Sequence, residues 1–349
     1  MILAHLRPKA NEILHSIVES SYNSGLMQSV HAVHVIRKAH IVHYNAPQHY
    51  PYWFRREFAF PTRHIYRLKS PEVLVADGGV FLNGLWLQES FGHYRSAQYI
   101  VARWRVLRWR RDCWRKRVEI SGSCTCLVVT GYYHFLLESL VCLLHTLSCY
   151  PGICVFTAKC SGFSFVGQYL DLLKQTGAVK QIEYIEPLQV HCKDYLFTAL
   201  EEKSGFVCPV DVDILRTTFL PLVGDATAGR TRIFITRRGN RRSFCNQETV
   251  EKFLEQHGFE VICLEEQPVL EQIKLFRDAE VIVANHGAGL ANIVWCVSCR
   301  LVVELFSPCF FNDCYFRLAR TCGITYDYLI ADGVSGWGSI NLNELKDKV

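Results

Sequence analysis

Glu280-Val281-Ile282-Val283-Ala284-Asn285, running straight into His286-Gly287-Ala288-Gly289-Leu290-Ala291-Asn292, is the stretch that decides the fold. Its first half is β-branched and apolar, which predicts a buried strand. Leu290 to Cys296 is apolar at helical spacing. A strand, a glycine-bearing turn and a helix in that order bring backbone N–H groups to a helix N-terminus. A phosphate or diphosphate binds readily at such a place. Gly287 and Gly289 let the backbone turn sharply and approach a ligand with no Cβ in the way.

Outward from this turn, Arg232-Ile233-Phe234-Ile235-Thr236 predicts a second buried strand, with Arg237-Arg238 at its end and Arg241-Arg242 just beyond. Leu301-Val302-Val303-Glu304-Leu305 predicts a third, interrupted by one carboxylate. Open parallel sheets bind ligands beyond the carboxyl ends of their strands. The arginines, the turn and Glu304 all fall there. Together they read as a nucleotide-diphosphate pocket: arginines for phosphate charge, turn amides for phosphate oxygens, and a carboxylate for ribose hydroxyls.

The ordered series Thr236-Arg237-Arg238, Arg242 with Asn246 and Glu248, Gly258-Phe259-Glu260-Val261, Glu271-Gln272 through Phe276 and Ala279, then His286-Gly287-Ala288-Gly289-Leu290 and Asn292 resembles glycosyltransferase family 61. That family includes plant β-1,2-xylosyltransferases, animal O-GlcNAc transferases of the secretory pathway and bacterial polysaccharide-biosynthesis proteins. The resemblance runs over residues 60–330 and is densest over 232–305. It implies a nucleotide-sugar donor, a glycan or glycoprotein acceptor, and inversion at the anomeric centre. The donor-binding residues it implies are Arg237, Arg238, Arg242, His286, Gly287, Ala288, Gly289, Leu290, Asn292 and Glu304. With arginines and a helix end at the diphosphate, neither a metal ion nor a further cofactor is expected.

His134 and Glu138 open a helix expected after the strand Leu127-Val128-Val129-Thr130, and their spacing of four puts them on one face. An imidazole and a carboxylate presented together make a general-base unit; an intrahelical polar pair is the plainer reading. The arrangement resembles the family's N-terminal catalytic motif, so Glu138 and His134 are the catalytic candidates. Many members carry Asn three residues before the histidine, and here Gly131 stands there. Asp211-Val212-Asp213 spells the D-x-D of metal-dependent transferases, but it follows Pro209 and opens a helix, so capping is the expected role.

The chain has 349 residues, enough for two medium domains. Half of it is hydrophobic and 20% charged, and its net charge of +5 suits acidic ligands without demanding nucleic acid. Alternating strand and helix patterns predict an α/β protein of GT-B type, two Rossmann-like domains facing across a cleft. The expected division is an extension at 1–57, an acceptor-side domain at 58–205, a nucleotide-sugar domain at 206–330 and a tail at 331–349. Extension and tail are both expected to fold against the first domain.

Sixteen cysteines fit either a disulfide-rich secreted chain or a reduced intracellular one. Most lie within apolar runs, and Met1 to Glu12 shows no sustained apolar leader, which favours the reduced reading. The expected location is cytoplasmic or membrane-peripheral, or the secretory lumen if an N-terminal anchor is missing. Cys296-Val297-Ser298-Cys299 has C-x-x-C spacing, but one such pair without a second half is expected in the core and not on zinc. Arg103 to Arg117 holds eight Arg or Lys residues with three interleaved tryptophans. That stretch is a solvated surface with snorkelling arginines, a contact for an anionic membrane surface or, less fittingly, a nucleic-acid strand. The rival function is an inactive nucleotide-binding or adaptor protein of polysaccharide assembly.

Overall fold

The computed structural model describes residues 30–69, 71–76, 79–82, 85–86, 117–127, 131–158, 164–180, 182–185, 189–199, 204–225, 231–237, 243–334 and 336–349. The tryptophan-rich basic stretch lies outside these residues apart from the backbone of Arg117. Two compact units divide the chain, one of residues 1–40 and 61–204, the other of residues 41–60 and 205–349.

In the first unit the strands are β1 (Val30–Arg37), β4 (Arg63–Lys69), β5 (Glu72–Ala76), β6 (Gly79–Leu82), β7 (Leu85–Trp86), β8 (Arg117–Leu127), β9 (Cys154–Ala158), β10 (Ile182–Ile185) and β11 (Gln189–Thr198). They form one sheet in the order β10-β9-β8-β11-β5-β6-β7, with β4 also on β11 and β1 on β4. Pairing is parallel from β10 to β11 and antiparallel beyond. The parallel sheet expected here is therefore a mixed one. Helical crossovers at Tyr132–Cys149 and Ser164–Gln175 impose parallel pairing on β8, β9 and β10, whereas β4 to β7 follow one another through short connections that favour antiparallel pairing. The core gathers Leu68, Val73, Cys124, Phe156, Cys192 and Tyr195.

The second unit holds β12 (Thr231–Ile235), β13 (Glu260–Ile262), β14 (Ala279–Asn285), β15 (Leu301–Phe306) and β16 (Thr325–Ile330). The order is β13-β12-β14-β15-β16 and every pair is parallel. This is the 2-1-3-4-5 arrangement of a doubly wound sheet, whose order reverses between its first and third strands. One face packs Phe234, Val281, Val283, Val303 and Leu305 against Val250 and Leu254 of the helix Gln247–Gln256. Helices Val269–Asp278 and Cys314–Thr321 contact the 3-10 helix that follows the turn.

The extension meets expectation only over its described residues 30–40, where β1 pairs with β4 in the first unit, and the tail departs from it. Residues 41–60 belong to the second unit. There β2 (His40–His43) pairs with β3 (Glu57–Phe60), and the residues between bring aromatic rings to the edge strand β16. Tyr50 packs on Phe54 at 4.7 Å and Tyr328 at 5.1 Å, and its hydroxyl donates to the Tyr326 carbonyl at 2.6 Å. Arg55 N–H donates to Asp313 Oδ2 at 2.8 Å. The tail likewise joins the second unit's core through Ile340 and Leu345. An apolar edge left uncovered by a five-stranded sheet recruits both segments, and neither has a sequence period that names its partner.

Candidate active site

One polar cluster in each unit carries candidate chemistry. In the second unit the carboxyl ends of β12 and β14 meet at the point where strand order reverses. Thr236-Arg237 leaves one strand there and His286-Gly287 leaves the other. The Arg237 guanidinium lies flat against Gly287, where an added Cβ would overlap it. A Cβ on Gly289 would come within 2.8 Å of Leu264 Cδ1. A Cβ at either glycine would thus have to displace the end of a side chain, and Gly287 itself is extended.

A chain of side chains fixes the two strand ends to the helix Gln247–Gln256. The Asn285 Nδ2 donates to Gln247 Oε1 at 2.9 Å, Gln247 Nε2 donates to Thr236 Oγ1 at 2.9 Å, and the Thr236 hydroxyl donates to Glu251. Beside them opens a cavity of about 820 Å³ lined by Arg237, Phe244, Asn246, Gln247, Glu248 and Lys252 among others. That is room for a nucleotide-sized ligand.

The turn differs from the expected one in two respects. Residues Ala288–Trp295 form a 3-10 helix and not an α-helix, with Leu290 N–H donating to the Gly287 carbonyl at 3.0 Å. Its tight i to i+3 bonding suits a segment buried from Leu290 to Trp295. The Leu290 amide is therefore spent internally, and Ala288 and Gly289 are the partly exposed residues of the turn.

Asn292 is fully buried and donates to Gln272 Oε1 and the Gly289 carbonyl, while accepting from Trp295 Nε1 at 3.1 Å. It braces the turn from below. Glu304, expected at a ribose, has no exposed surface. One of its oxygens pairs with His286 Nδ1, and the other accepts from Tyr326 Oη at 2.5 Å. Burial, reinforced by the Glu304 charge, holds the Tyr326 phenol well above its ordinary pKa. The His286 ring stacks on Phe306 at 5.2 Å and meets Phe310 and Tyr315. Glu304 thus anchors the turn's histidine and is not placed for a ligand. Arg238 and Arg242 lie outside the described residues.

In the first unit His134 and Glu138 meet on the helical stretch that begins at Tyr132. Phe135–Ser139 within it is a π-turn, followed by an α-helix at Leu140–Cys149. Such turns widen the helix by one residue and are frequent at functional sites. Glu138 Oε2 lies 3.0 Å from His134 Nδ1, and Ser204 Oγ donates to Glu138 Oε1 at 2.5 Å. Ser204 Oγ also lies 3.2 Å from the same imidazole nitrogen. The imidazole side chain is 24% exposed and the carboxylate 8%, so the histidine is the end nearer solvent. Ser204 was not legible in the sequence: it precedes a segment with no periodicity, and nothing local ties it to a helix some 66 residues earlier.

Asp211 takes the capping role expected of it. Its carboxylate accepts from Cys208 N–H at 3.2 Å, at the start of the helix Pro209–Phe219. None of the described helices is long and apolar enough to cross a membrane.

The all-parallel sheet and its reversal of strand order make the second unit Rossmann-like. The family model for glycosyltransferase 61 matches residues 132–303, which takes in both polar clusters short of Glu304 and Tyr326. Among curated proteins, the EGF domain-specific O-linked N-acetylglucosamine transferase of Drosophila melanogaster is 26% identical over 96 residues, 27% of this chain and 18% of that protein. Its Mus musculus namesake is 30% identical over 104 residues, 28% of this chain and 20% of its own. Alpha-1,3-arabinosyltransferase XAT3 of Oryza sativa subsp. japonica is 24% identical over 192 residues, 48% of this chain and 33% of that protein. The chain thus aligns with between 18% and 33% of the length of these relatives. Residues 132–303 thus carry the likeness to glycosyltransferase family 61, and they take in the strand-order reversal and the His134–Glu138 pair.

Proposed function

We propose that the protein is an inverting glycosyltransferase of GT-B type, moving a sugar from a nucleoside-diphosphate donor to a hydroxyl of a glycan or glycoprotein. The observation that carries this reading is Arg237 lying across Gly287 at the strand-order reversal of a parallel sheet, within the residues that carry the likeness to family 61. A guanidinium and the backbone amides of the partly exposed Ala288 and Gly289 are suited to a diphosphate. The acidic cavity wall at Glu248 and Glu255 is suited to hydroxyl groups rather than to phosphate.

In the reaction the acceptor oxygen attacks the anomeric carbon of the donor as the bond to the diphosphate breaks. The hydroxyl proton passes to the His134–Glu138 pair, with His134 the receiving end and Glu138 holding its Nδ1. Negative charge grows on the departing diphosphate, where Arg237 and the turn amides stabilise it. One displacement inverts the centre, and neither a covalent intermediate nor a metal ion is required.

Thermal shift with a panel of nucleoside diphosphates, their sugars and the bare nucleosides tests the donor site. A ligand at 100 times its Kd stabilises by about 2.7 kcal/mol, so diphosphates should raise Tm where nucleosides do not. Absence of any shift across the panel would reject the donor site. A diphosphate shift with no hydrolysis or transfer of any sugar nucleotide would leave the binding-protein alternative standing.

A further inference from the structure

Cys296-Val297-Ser298-Cys299 links the end of the 3-10 helix to β15. Cys296 is buried at 3% exposure, Val297 and Ser298 are exposed, and Cys299 is half-buried. The two thiols are near enough to shift each other's titration, and the Cys299 thiol donates to the Leu301 carbonyl at 3.4 Å. Arg216 grips the strap by donating its Nε to the Val294 carbonyl at 2.7 Å and a terminal nitrogen to the Cys296 carbonyl at 2.5 Å. Arg300 follows directly. One thiol is therefore sheltered and the other accessible, on a short turn held in place by a guanidinium.

The electrostatics agree with that asymmetry. Burial, with the contact to Cys299, holds the Cys296 thiol well above its ordinary pKa. The contact with the Cys296 thiol, helped by the Arg300 charge, lowers Cys299. Cys322 lies close by, and burial pushes it up to about 12. In the first unit Cys124 and Cys192 also touch, but both are fully buried and no small molecule reaches them. Among the described residues no group of three or more His, Cys, Asp or Glu side chains is arranged to hold a metal ion.

We propose that Cys296 and Cys299 form a thiol–disulfide exchange site that takes a low-molecular-weight disulfide such as oxidised glutathione. The Cys299 thiolate attacks one sulfur of the glutathione disulfide. The S–S bond breaks, one glutathione leaves as its thiolate, and a mixed disulfide forms on Cys299. Cys296 then gives its proton to solvent and attacks the Cys299 sulfur, expelling the second glutathione. Two protein thiols are oxidised to one disulfide and one glutathione disulfide is reduced to two thiols. The accessible, lowered thiol is the attacking one and the sheltered thiol resolves.

The test incubates the full chain with oxidised glutathione, blocks residual thiols by alkylation and maps each cysteine by mass spectrometry. The expected product is a Cys296–Cys299 bridge with no retained glutathione. Cys299 should react faster than the exposed Cys245 and Cys309, because its thiol is lowered and more of it is thiolate. Cys296→Ser should stop the reaction at a stable glutathione adduct on Cys299, and Cys299→Ser should leave Cys296 reduced. A lasting adduct on Cys299 in the unaltered chain would overturn the proposal, as would a Cys299–Cys322 bridge or a Cys299 slower than Cys245. The first and last of these outcomes are read on the unaltered chain, so a variant that folds poorly does not shield the proposal.

Discussion

Among the imidazole–carboxylate pairs of the described residues, His286–Glu304 and His134–Glu138 are built from the same groups in different surroundings. His286–Glu304 has a carboxylate with no exposed surface and a tyrosine hydroxyl closing its second oxygen. His134–Glu138 has an imidazole reaching solvent, a serine hydroxyl on its second oxygen and a π-turn beneath it. A charged group removed from water and fully partnered positions its neighbours, because moving a proton there costs several kcal/mol of desolvation. A pair with one wet end exchanges protons with a ligand at little such cost. Burial, not residue type, separates the anchor from the proposed base.

The largest expected effect falls on the wet pair. His134→Ala should lower transfer by about 10²–10⁴-fold, the usual span for general-base catalysis, while leaving donor affinity and Tm near their starting values. Steady-state kinetics with calorimetry checks this; a comparable loss of stability would make the pair an anchor like its counterpart. The dry pair should respond in the opposite sense. Glu304→Ala strands His286 and Tyr326 in the interior and should cost about 3–5 kcal/mol of folding free energy, read by urea unfolding. A loss under about 1 kcal/mol would show that the pair does not hold the turn.

Smaller effects sharpen the contrast. Gly287→Ala puts a Cβ where the Arg237 guanidinium lies. Displacing it should weaken nucleoside-diphosphate binding by about 1–3 kcal/mol and leave nucleoside binding unchanged. Equal losses for both ligands in calorimetry would remove Arg237 from the phosphate. Smallest is an alkaline effect. Tyr326 is raised well above the ordinary tyrosine value of 10.0 by burial and then by Glu304. The unfolded chain thus releases this proton first, and the group's contribution is complete below pH 10.0 and falls away above it. Each such tyrosine steepens the loss by about 1.4 kcal/mol per pH unit, so Tyr326→Phe should flatten unfolding free energy against pH above 10.0. An unchanged slope would mean the hydroxyl is not held in its protonated form.

The two units were unequally legible in the sequence. From Thr231 to Ile330 the strands are short runs that alternate with helical segments, so a doubly wound parallel sheet could be read from the alternation. In the first unit the longest parallel strand is Arg117–Leu127, where Ser121-Gly122-Ser123 breaks the apolar pattern and Glu119 is exposed. Its pairing with β11 depends on residues some 72 positions away, so local pattern pointed to a strand beginning at Leu127 instead. The same limit applies to the sites. Arg237, the glycine turn and His134–Glu138 are sequence-local and could be found. Tyr326 and Ser204 complete the two pairs through contacts 22 and 66 positions long. Glu304 was visible, but its burial was not, and burial decided its role.

Glu138→Gln and Glu304→Gln, compared side by side, test the division of labour most directly. Each keeps the shape of its carboxylate and removes its charge. At saturating donor Glu138→Gln should lose about 10²–10⁴-fold in transfer with donor affinity and unfolding midpoint close to normal. Glu304→Gln should instead lower the unfolding midpoint and retain most of its turnover at temperatures where it stays folded. Normal turnover in Glu138→Gln, together with collapse of turnover in a folded Glu304→Gln, would contradict the assignment and transfer the catalytic role to the buried pair.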